Sequence, residues 1–190
     1  MTTTERVPRG FAETNLYLVP AGQWEALQPR LVSQRVTGYL ESRGILGGVY
    51  DAELGWLSPG EHARDLFSES VDQPGFEYLI VYEHGVAQFV PNAHTGRFGI
   101  YCKACGASQD EALHALLLDP DANVEAGTRL ACEACGASQP LSGLHGKVEM
   151  AMTCFYLNFC NVSSTRLAPD ILRDLEARVG AGLRLIVERL

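Results

Sequence analysis

Two nearly identical octapeptides carry the clearest chemistry in this sequence. CKACGASQ occupies residues 102–109 and CEACGASQ occupies residues 132–139, so that seven of the eight positions match. Each copy contains Cys-x2-Cys, a spacing that lets one tight turn present two thiolates to the same ion, and Zn²⁺ prefers four such ligands in a tetrahedron. The pattern therefore predicts one zinc ion with four ligands, namely Cys102, Cys105, Cys132 and Cys135.

A glycine follows the second cysteine in both copies, at Gly106 and Gly136. Glycine can take the left-handed conformation that bends a backbone around a metal. Two equivalent turns need the same residues at the same places, and this requirement explains why the octapeptide occurs twice. The doubled C-x2-C-G pattern resembles the zinc-ribbon class, in which two such turns at the tips of β-hairpins hold one ion. The resemblance covers residues 100–137, and it implies a metal site without implying an activity.

We interpret the zinc as structural. Four thiolates leave no coordination position open, whereas a catalytic zinc keeps one for water or substrate. The sequence contains neither the H-x-E of zinc deaminases nor the H-E-x-x-H of metalloproteases. A redox pair and four merely buried cysteines stay open as alternatives. A redox C-x-x-C lies directly on the first turn of a helix, whereas Gly106 and a predicted cap at Ser108 separate these cysteines from the next helix.

Other potential ligands have a plainer interpretation. Cys154 and Cys160 fall in an apolar run, and we predict that they are small buried residues and not a second metal site. With four thiolates available, no histidine is needed as a ligand. We predict exposed or hydrogen-bonded side chains for all five histidines: His62, His84, His94, His114 and His145.

Charge and composition bound the possible partners. The chain has 190 residues, 46% of them hydrophobic, and a net charge of −8. Residues 1–95 hold 6 basic and 12 acidic side chains, and residues 96–149 hold 4 and 7, with no basic stripe in either part. Because nucleic-acid binding depends on Lys and Arg contacts to phosphate, this distribution argues against a nucleic-acid partner. We expect another protein as the partner, and the acidic half would favour a basic one.

The sequence also suggests a compartment. Its N-terminus lacks the apolar stretch of a secretory signal, and runs such as FEYLIVYE are far shorter than the roughly 20 residues of a membrane-spanning helix. We therefore expect a cytoplasmic protein without a membrane segment. Six cysteines in a reducing compartment favour metal or redox chemistry over a disulfide framework.

The strands that must position the cysteines are predicted from apolar runs. These runs are TNLYLVP, RFGIYC, TRLAC, VEMAMTCFYLNFCNV and LRLIVERL. GFEYLIVYEHGVAQFVPN predicts a β-hairpin with its turn at EHG, because Gly85 can supply a positive φ. Residues 45–60 are rich in glycine and predict a loop with short extended pieces.

Helices are predicted between these strands. GQWEALQPRLVSQRVTGYLESRG, with Trp24 and Leu27 near its start, has helical spacing that Pro29 should break or restart. Ser108 and Glu111 fit a capping box that would begin a helix carrying Leu113, Leu116 and Leu117 inward. PGEHARDLF predicts a short helix, and PDILRDLEARV predicts one that begins at a proline and ends at Gly180 or Gly182.

Strands and helices follow one another without a regular βαβ alternation, which predicts an α+β fold with a largely antiparallel sheet and flanking helices. We expect residues 1–95 and 148–190 to form this α+β body. Residues 96–147 would then be an inserted, zinc-ribbon-like segment with four cysteines.

A closed metal site and the lack of a recognisable catalytic motif favour a non-enzymatic protein-binding domain. A more specific form is an immunity or antitoxin protein that neutralises a basic toxin, because the doubled C-x-x-C-G also resembles a bacterial family of double-C-x-x-C-G immunity proteins. The competing class is an enzyme with a pocket in the α+β body and zinc only as a brace. Glu61, His62 and Asp65, which follow Ser58, are then the first residues to consider. A zinc-ribbon nucleic-acid binder is the third hypothesis.

Overall fold

The computed structural model describes residues 14–21, 28–70, 74–90, 99–119, 124, 128–141, 144, 146 and 150–189, with the backbone but not the side chains of residues 84–88 and 118. Within these residues the chain has the predicted α+β fold. The predictions for Trp24, Leu27, His94, His145 and the side chain of His84 lie outside this description. None of the described helices is long and apolar enough to cross a membrane.

Eight strands and three α-helices lie in the described residues. The strands are β1 (Thr14–Pro20), β2 (Leu46–Asp51), β3 (Trp56–Pro59), β4 (Tyr78–Val90), β5 (Arg129–Ala131), β6 (Ser138–Pro140), β7 (Ala151–Cys160) and β8 (Leu183–Arg189). The helices are α1 (Pro29–Ser42), α2 (Asp110–Leu118) and α3 (Pro169–Val179), and a short 3-10 helix covers Ala63–Leu66. The main sheet has the order β2-β3-β4-β7-β1-β8, and β5 pairs with β6 in a second, small sheet. Every described strand pair is antiparallel.

The ends of α1 and α3 follow from proline and glycine. Pro29 and Pro169 stand in the first turn of their helices, where the missing N–H would have no helical partner. Gly180 ends α3 in the left-handed conformation, with φ at 79°. These predicted boundaries are confirmed, since α1 begins at Pro29 and α3 ends at Val179 with Gly180 as its C-cap.

Helices α1 and α3 pack against one face of the main sheet. In α3, Ile171, Leu175 and Val179 recur every four residues and are buried, as an amphipathic helix requires. Tyr39 of α1 donates a hydrogen bond of 2.8 Å to Asp174 of α3, which ties the two helices together. The first cluster of buried residues lies between these helices and the sheet, and its central side chains are Leu16, Leu18, Leu79, Phe155, Leu157 and Phe159.

The prediction of a hairpin at EHG is wrong. Instead of reversing there, β4 continues through residues 84–88 and pairs with β7 on both sides of that stretch. The register shifts within it, so that the five residue steps from Glu83 to Gln88 face only the two from Phe155 to Thr153. A long continuous β7 provides backbone partners for both halves of β4, and the surplus residues are accommodated as an irregularity.

Gly60 lies where two backbones approach closely. Its N–H donates to the carbonyl of Ile45 at 2.8 Å, and the N–H of His62 donates to the carbonyl of Gly44 at 2.9 Å. A Cβ atom on Gly60 would lie 2.2 Å from the carbonyl oxygen of Gly44 and 2.8 Å from the carbonyl carbon of Leu46. Backbone atoms cannot rotate out of the way as a flexible side chain can, so this position requires glycine.

Alanine should therefore have opposite effects at two glycines. We expect Gly60→Ala to lower the free energy of unfolding by about 1–3 kcal/mol, because backbone must move to admit the methyl group. Gly38→Ala, in the exposed interior of α1 with no atom within 4 Å of the new Cβ, should raise it by about 0.5–1 kcal/mol. Urea unfolding of both variants tests this pair, and equal stability of Gly60→Ala and the wild type would contradict the close approach.

Candidate metal centre

The two octapeptides fold into equivalent turns. The N–H of Cys102 donates to the carbonyl of Ala107 at 2.9 Å, and the same bond in the second copy is 2.8 Å long. The N–H of the glycine donates back to the carbonyl of the first cysteine, at 2.8 Å in one copy and 2.7 Å in the other. The φ angle is 74° at Gly106 and 72° at Gly136. Both glycines thus have the left-handed conformation that the sequence predicted for them.

Antiparallel backbone pairing leads into each turn. In the second copy, β5 and β6 pair Ala131 with Ser138 on either side of the turn. In the first copy, an isolated bridge pairs Tyr101 with Ser108 at the corresponding positions. The predicted strand RFGIYC is therefore reduced to this bridge within its described residues, 99–102. In each copy the backbone segments before and after the turn pair with one another, which holds the two cysteines at the tip of a narrow loop.

The four sulfur atoms of the octapeptides converge on one point. The Sγ atoms of Cys102 and Cys135 lie 3.7 Å apart, as do those of Cys105 and Cys132. All four lie within 4.8 Å of one another. A tetrahedron of thiolates around zinc, with Zn–S bonds of about 2.3 Å, has sulfur–sulfur edges of about 3.8 Å. The four cysteines therefore fit a metal ion, and their separations are far longer than a disulfide bond of about 2.05 Å.

The local electrostatics differ between the cysteines. Backbone hydrogen bonds from Cys105 and Ala104 lower the pKa of the Cys102 thiol to about 7. At Cys135 a backbone hydrogen bond from Ala137 lowers the pKa, but hydrogen bonds with the other three sulfurs, that of Cys105 foremost, together with burial raise it to about 12. Crowded sulfurs thus oppose a second negative charge. A divalent cation among them would favour the thiolate form of all four, because a coordinated thiol is deprotonated.

A second cluster of buried apolar residues includes the residues that lead into the two turns. Ile100 and Leu130 belong to it, and each stands two residues before the first cysteine of its copy. Helix α2 contributes Leu113, which is fully buried, while Leu116 and Leu117 pack on the cluster as predicted. The main sheet reaches the same cluster through the ends of two strands. The full set of buried members is Phe89, Ile100, Leu113, Leu130, Leu141, Leu144, Met150 and Met152.

Helix α2 begins differently from the prediction. The capping box at Ser108 and Glu111 is wrong, because the N-cap is Gln109 and it makes no side-chain capping bond. The backbone of Ser108 pairs with that of Tyr101 in the isolated bridge, so Ser108 lies in an extended segment before the helix. The carboxylate of Asp110 accepts a hydrogen bond of 2.9 Å from the N–H of Ile100, so the first helical residue is tied back to the strand before the turn.

Sequence reasoning missed the last residue of the octapeptides. Gln109 and Gln139 occupy the eighth position of each copy, and the side-chain amide of Gln139 donates to the side-chain oxygen of Gln109. Gln109 is only 2% exposed, and its N–H donates to the carbonyl of Ile100 at 2.9 Å. The equivalent residues of the two copies therefore touch one another directly. Their identity in both copies was the signal, since no metal requires a glutamine there.

The remaining cysteines and the described histidines are apart from this cluster. Cys154 and Cys160 are buried and are not members of the four-sulfur group, and burial raises the pKa of the Cys160 thiol to about 11. His62 and His114 are exposed. The burial of both cysteines and the exposure of both histidines agree with the predictions, whereas the lack of a second metal site stays a prediction.

The residues named for an enzymatic alternative show little organisation. His62 and Asp65 lie 3.8 Å apart, and both side chains are more than half exposed. No hydrogen bond within the described residues joins Ser58 or Glu61 to this pair. A shallow depression of about 320 Å³ is lined by Gln28, Pro29, Arg30, Leu31 and Gln34 and contains none of these candidates. The enzymatic alternative stays a prediction.

Comparison with protein-family models, with curated proteins and with solved structures found no match to the chain. The doubled Cys-x2-Cys motif and the convergence of its four sulfur atoms are the observations that indicate a metal.

The sulfur geometry predicts one metal ion per chain. We expect protein purified without added metal to contain one zinc, and Cys→Ser substitution at position 102, 105, 132 or 135 to bring the zinc content well below one, because three thiolates leave the tetrahedron incomplete. Metal content by mass spectrometry and a count of reactive thiols before and after chelation test this.

Cys154→Ala is the matched control, because it removes a buried thiol that lies outside the four-sulfur group. It should retain one zinc. Single variants of the four cysteines that all keep one zinc per chain would show that the ligand assignment is wrong. Reversible formation of two disulfides without bound zinc would instead favour the redox alternative.

Proposed function

We propose that the protein is a non-enzymatic, zinc-containing domain that binds another protein, with a single structural Zn²⁺ held by Cys102, Cys105, Cys132 and Cys135. The observation that carries the proposal is the convergence of four sulfur atoms at separations suited to a tetrahedral ion. Four thiolates fill the coordination sphere, so an ion held there has no position for water or substrate. Such an ion acts by fixing the backbone.

The energies support a structural role. Closing the chain between Cys105 and Cys132 costs about 3 kcal/mol in the part of the entropy that depends on loop length. Structural zinc contributes about 10–16 kcal/mol of apparent binding free energy in small peptides. The free energy of metal binding is therefore much larger than the entropic cost of bringing the two turns together. Without it, the pair of glutamines and the second cluster would have to supply that free energy.

We further propose that residues 96–147 form an inserted segment and that residues 1–95 and 148–190 form the α+β body. Most members of the second cluster come from residues 100–144, and the first cluster draws its members from outside that range. Phe89, Met150 and Met152 also belong to the second cluster, which supports a segment packed on the end of the sheet and not one standing away from it.

The surface composition supports a protein partner. Of the large hydrophobic residues that are exposed in the described chain, Val49, Tyr50 and Leu54 lie within six residues, and they are 64%, 47% and 58% exposed. Clustered exposed apolar residues are typical of interaction sites. The net charge of −8 favours a basic partner, of which a basic toxin neutralised by an immunity protein is the more specific form.

Removal of zinc tests the structural role and the segment boundaries together. We expect a chelator to increase hydrogen exchange in α2, β5 and β6, because the turns lose the ion that connects them, while β1, β7 and β8 keep their protection. Backbone amide exchange measured by mass spectrometry resolves these elements. An equal increase in every strand would contradict the segment boundaries, and no increase anywhere would contradict a structural ion.

A protein partner should be recoverable with the zinc-loaded chain. We expect affinity purification from the native source to yield a basic protein in a constant ratio to the chain, because the acidic surface selects for opposite charge. Repeated preparations without any stoichiometric partner would count against the protein-binding role, independently of the result with zinc.

A further inference from the structure

Three aromatic rings lie together on the three strands at the β2 edge of the main sheet. Tyr78 of β4 stacks on Trp56 of β3 with ring centroids 4.4 Å apart and planes 3° from parallel. Tyr50 of β2 stacks on Tyr78 at 4.9 Å, while Tyr50 and Trp56 are 6.5 Å apart. Tyr78 is thus closer to each of the other rings than they are to one another. We call Tyr50, Trp56 and Tyr78 the aromatic ledge.

The ledge is held in place by a carboxylate. The hydroxyl of Tyr50 donates a hydrogen bond of 2.9 Å to Glu77, and the second oxygen of Glu77 accepts from the side-chain amide of Asn161. Asp51 accepts hydrogen bonds of 2.9 and 3.0 Å from two backbone N–H groups of the turn that follows it, which fixes the β2–β3 connection. A ring system with fixed orientation loses little entropy when it binds a ligand.

The surroundings of the ledge are apolar and acidic. Tyr50 is about half exposed, Trp56 and Tyr78 are partly exposed, and the exposed side chains of Val49 and Leu54 adjoin them in sequence. Asp51 ends β2, Glu53 lies in the turn that follows it and Glu77 precedes Tyr78, while residues 46–61 and 74–83 contain no lysine or arginine. No lysine or arginine of these two ranges can therefore cover the rings. A cation from a partner would suit the ring faces and the nearby carboxylates.

The sheet edge beside the ledge is poorly suited to adding a strand from a partner. The pairing of β2 with β3 shifts register twice, between Leu46 and Gly48 and between Val49 and Asp51. Gly48 has a φ of 149°, which a residue with a side chain rarely adopts. Irregular edges of this kind protect a sheet from edge-to-edge pairing. A partner would therefore contact the ring faces and side chains, not the edge backbone.

We propose that the aromatic ledge binds arginine side chains of a basic protein partner, with guanidinium groups stacked on Trp56 and Tyr50 and paired with Asp51, Glu53 or Glu77. This inference rests on the protein-binding function proposed above and names the surface and the chemistry of the partner. Arginine fits better than lysine, because its planar, weakly hydrated guanidinium stacks on aromatic faces while presenting several N–H donors to carboxylates. Lysine offers a compact, strongly hydrated charge without a flat face.

A fluorescent peptide of nine arginines tests the proposal on the full zinc-loaded chain, with peptides of nine lysines and nine glutamates for comparison. We expect the arginine peptide to bind more tightly than the lysine peptide by about 3-fold to 30-fold at physiological salt, the range of one or two stacked cations. The glutamate peptide should not bind. Equal affinity for the arginine and lysine peptides would overturn the proposal, because it would indicate attraction by charge alone.

Substitutions of Trp56 and Tyr50 distinguish binding that needs an aromatic face from binding that needs only an apolar side chain. Trp56→Leu keeps an apolar side chain in β3 but has no aromatic face, and it should weaken arginine-peptide binding by about 3-fold to 30-fold. Trp56→Phe restores a ring and should recover most of the affinity, and Tyr50→Leu should lose affinity as Trp56→Leu does. Hydrogen exchange of β3 and β4 verifies that each variant is folded. Wild-type affinity in both leucine variants would overturn the proposal.

Two variants with the same change in charge test the position of the site. Glu53→Gln lies on the turn beside the ledge, whereas Glu111→Gln lies on the exposed side of α2. Only Glu53→Gln should weaken binding, and equal losses would overturn the proposal in favour of general charge attraction. The indole N–H signal of Trp56, distinguished from that of Trp24 by a Trp24→Phe variant, should shift on titration with the arginine peptide.

The proposal for the ledge and the proposed protein-binding function can be disproved separately. Should no arginine peptide bind the wild-type chain, the ledge proposal is overturned, but co-purification of a partner still supports the protein-binding role. A co-purified partner retained equally by wild type and Trp56→Leu would likewise overturn the ledge alone. Loss of that partner with Trp56→Leu and its recovery with Trp56→Phe would support both.

Discussion

The pairing of β7 with a strand on each side is the constraint on which the rest of the structure depends. Eight of its ten residues are buried, and it pairs with β4 on one side and β1 on the other. Because side chains alternate between the two faces of a strand, a slip of one residue would remove Leu157 and Phe159 from beneath the helices and put Asn158 there. Asn158 is already buried on the opposite face, and a slip would move its amide into the apolar first cluster while taking two large apolar side chains out of it. The register of β7 is therefore fixed by its own sequence, and the neighbouring strands follow it.

The four-cysteine centre takes its position from the same strand. Met152 of β7 pairs with Phe89 of β4, and both side chains belong to the second cluster. That cluster includes Ile100 and Leu130, each two residues before a Cys-x2-Cys turn. Apolar packing thus brings the bases of the two turns together, and the short backbone segments that follow carry the sulfur atoms to a common point. The octapeptide repeats because each copy performs the same tasks: its cysteines and glycine form one half of the sulfur group, and its glutamine meets the equivalent residue of the other half.

Local rules predicted much of this architecture, and they failed where long-range pairing decides the outcome. Proline at the first turn and glycine at the end are local signals, so the start of α1 and both ends of α3 followed from the sequence, as did the left-handed glycines of both turns. The supposed hairpin at EHG had equally good local signals. Its actual course depends on the length of β7, 65 residues further along, which no local pattern contains. The capping box failed for a similar reason, since Ser108 lies in the bridge to Tyr101 and α2 begins only at Asp110. The contact between Gln109 and Gln139, and the stacking of Tyr50 on Tyr78, likewise join residues that are distant in sequence.

The geometry of the sheet separates the two surface features of the protein. Tyr78, in the aromatic ledge, pairs with Cys160 at one end of β7, and Phe89, in the second cluster, pairs with Met152 near the other end. The eight residue steps from Met152 to Cys160 span about 26 Å at the usual rise of a strand. The second cluster, on which the cysteine turns rest, lies at the Met152 end. An ion bound among the cysteines would therefore be separated from the ledge by more than the Debye length of about 8 Å in physiological salt. The ion can influence the ledge only through β4 and β7, which are held by their own pairing and by the first cluster. The proposed stabilisation by metal and the proposed recognition by aromatic rings therefore belong to opposite ends of one sheet, and a loss of zinc should loosen the turns while leaving the ledge in place.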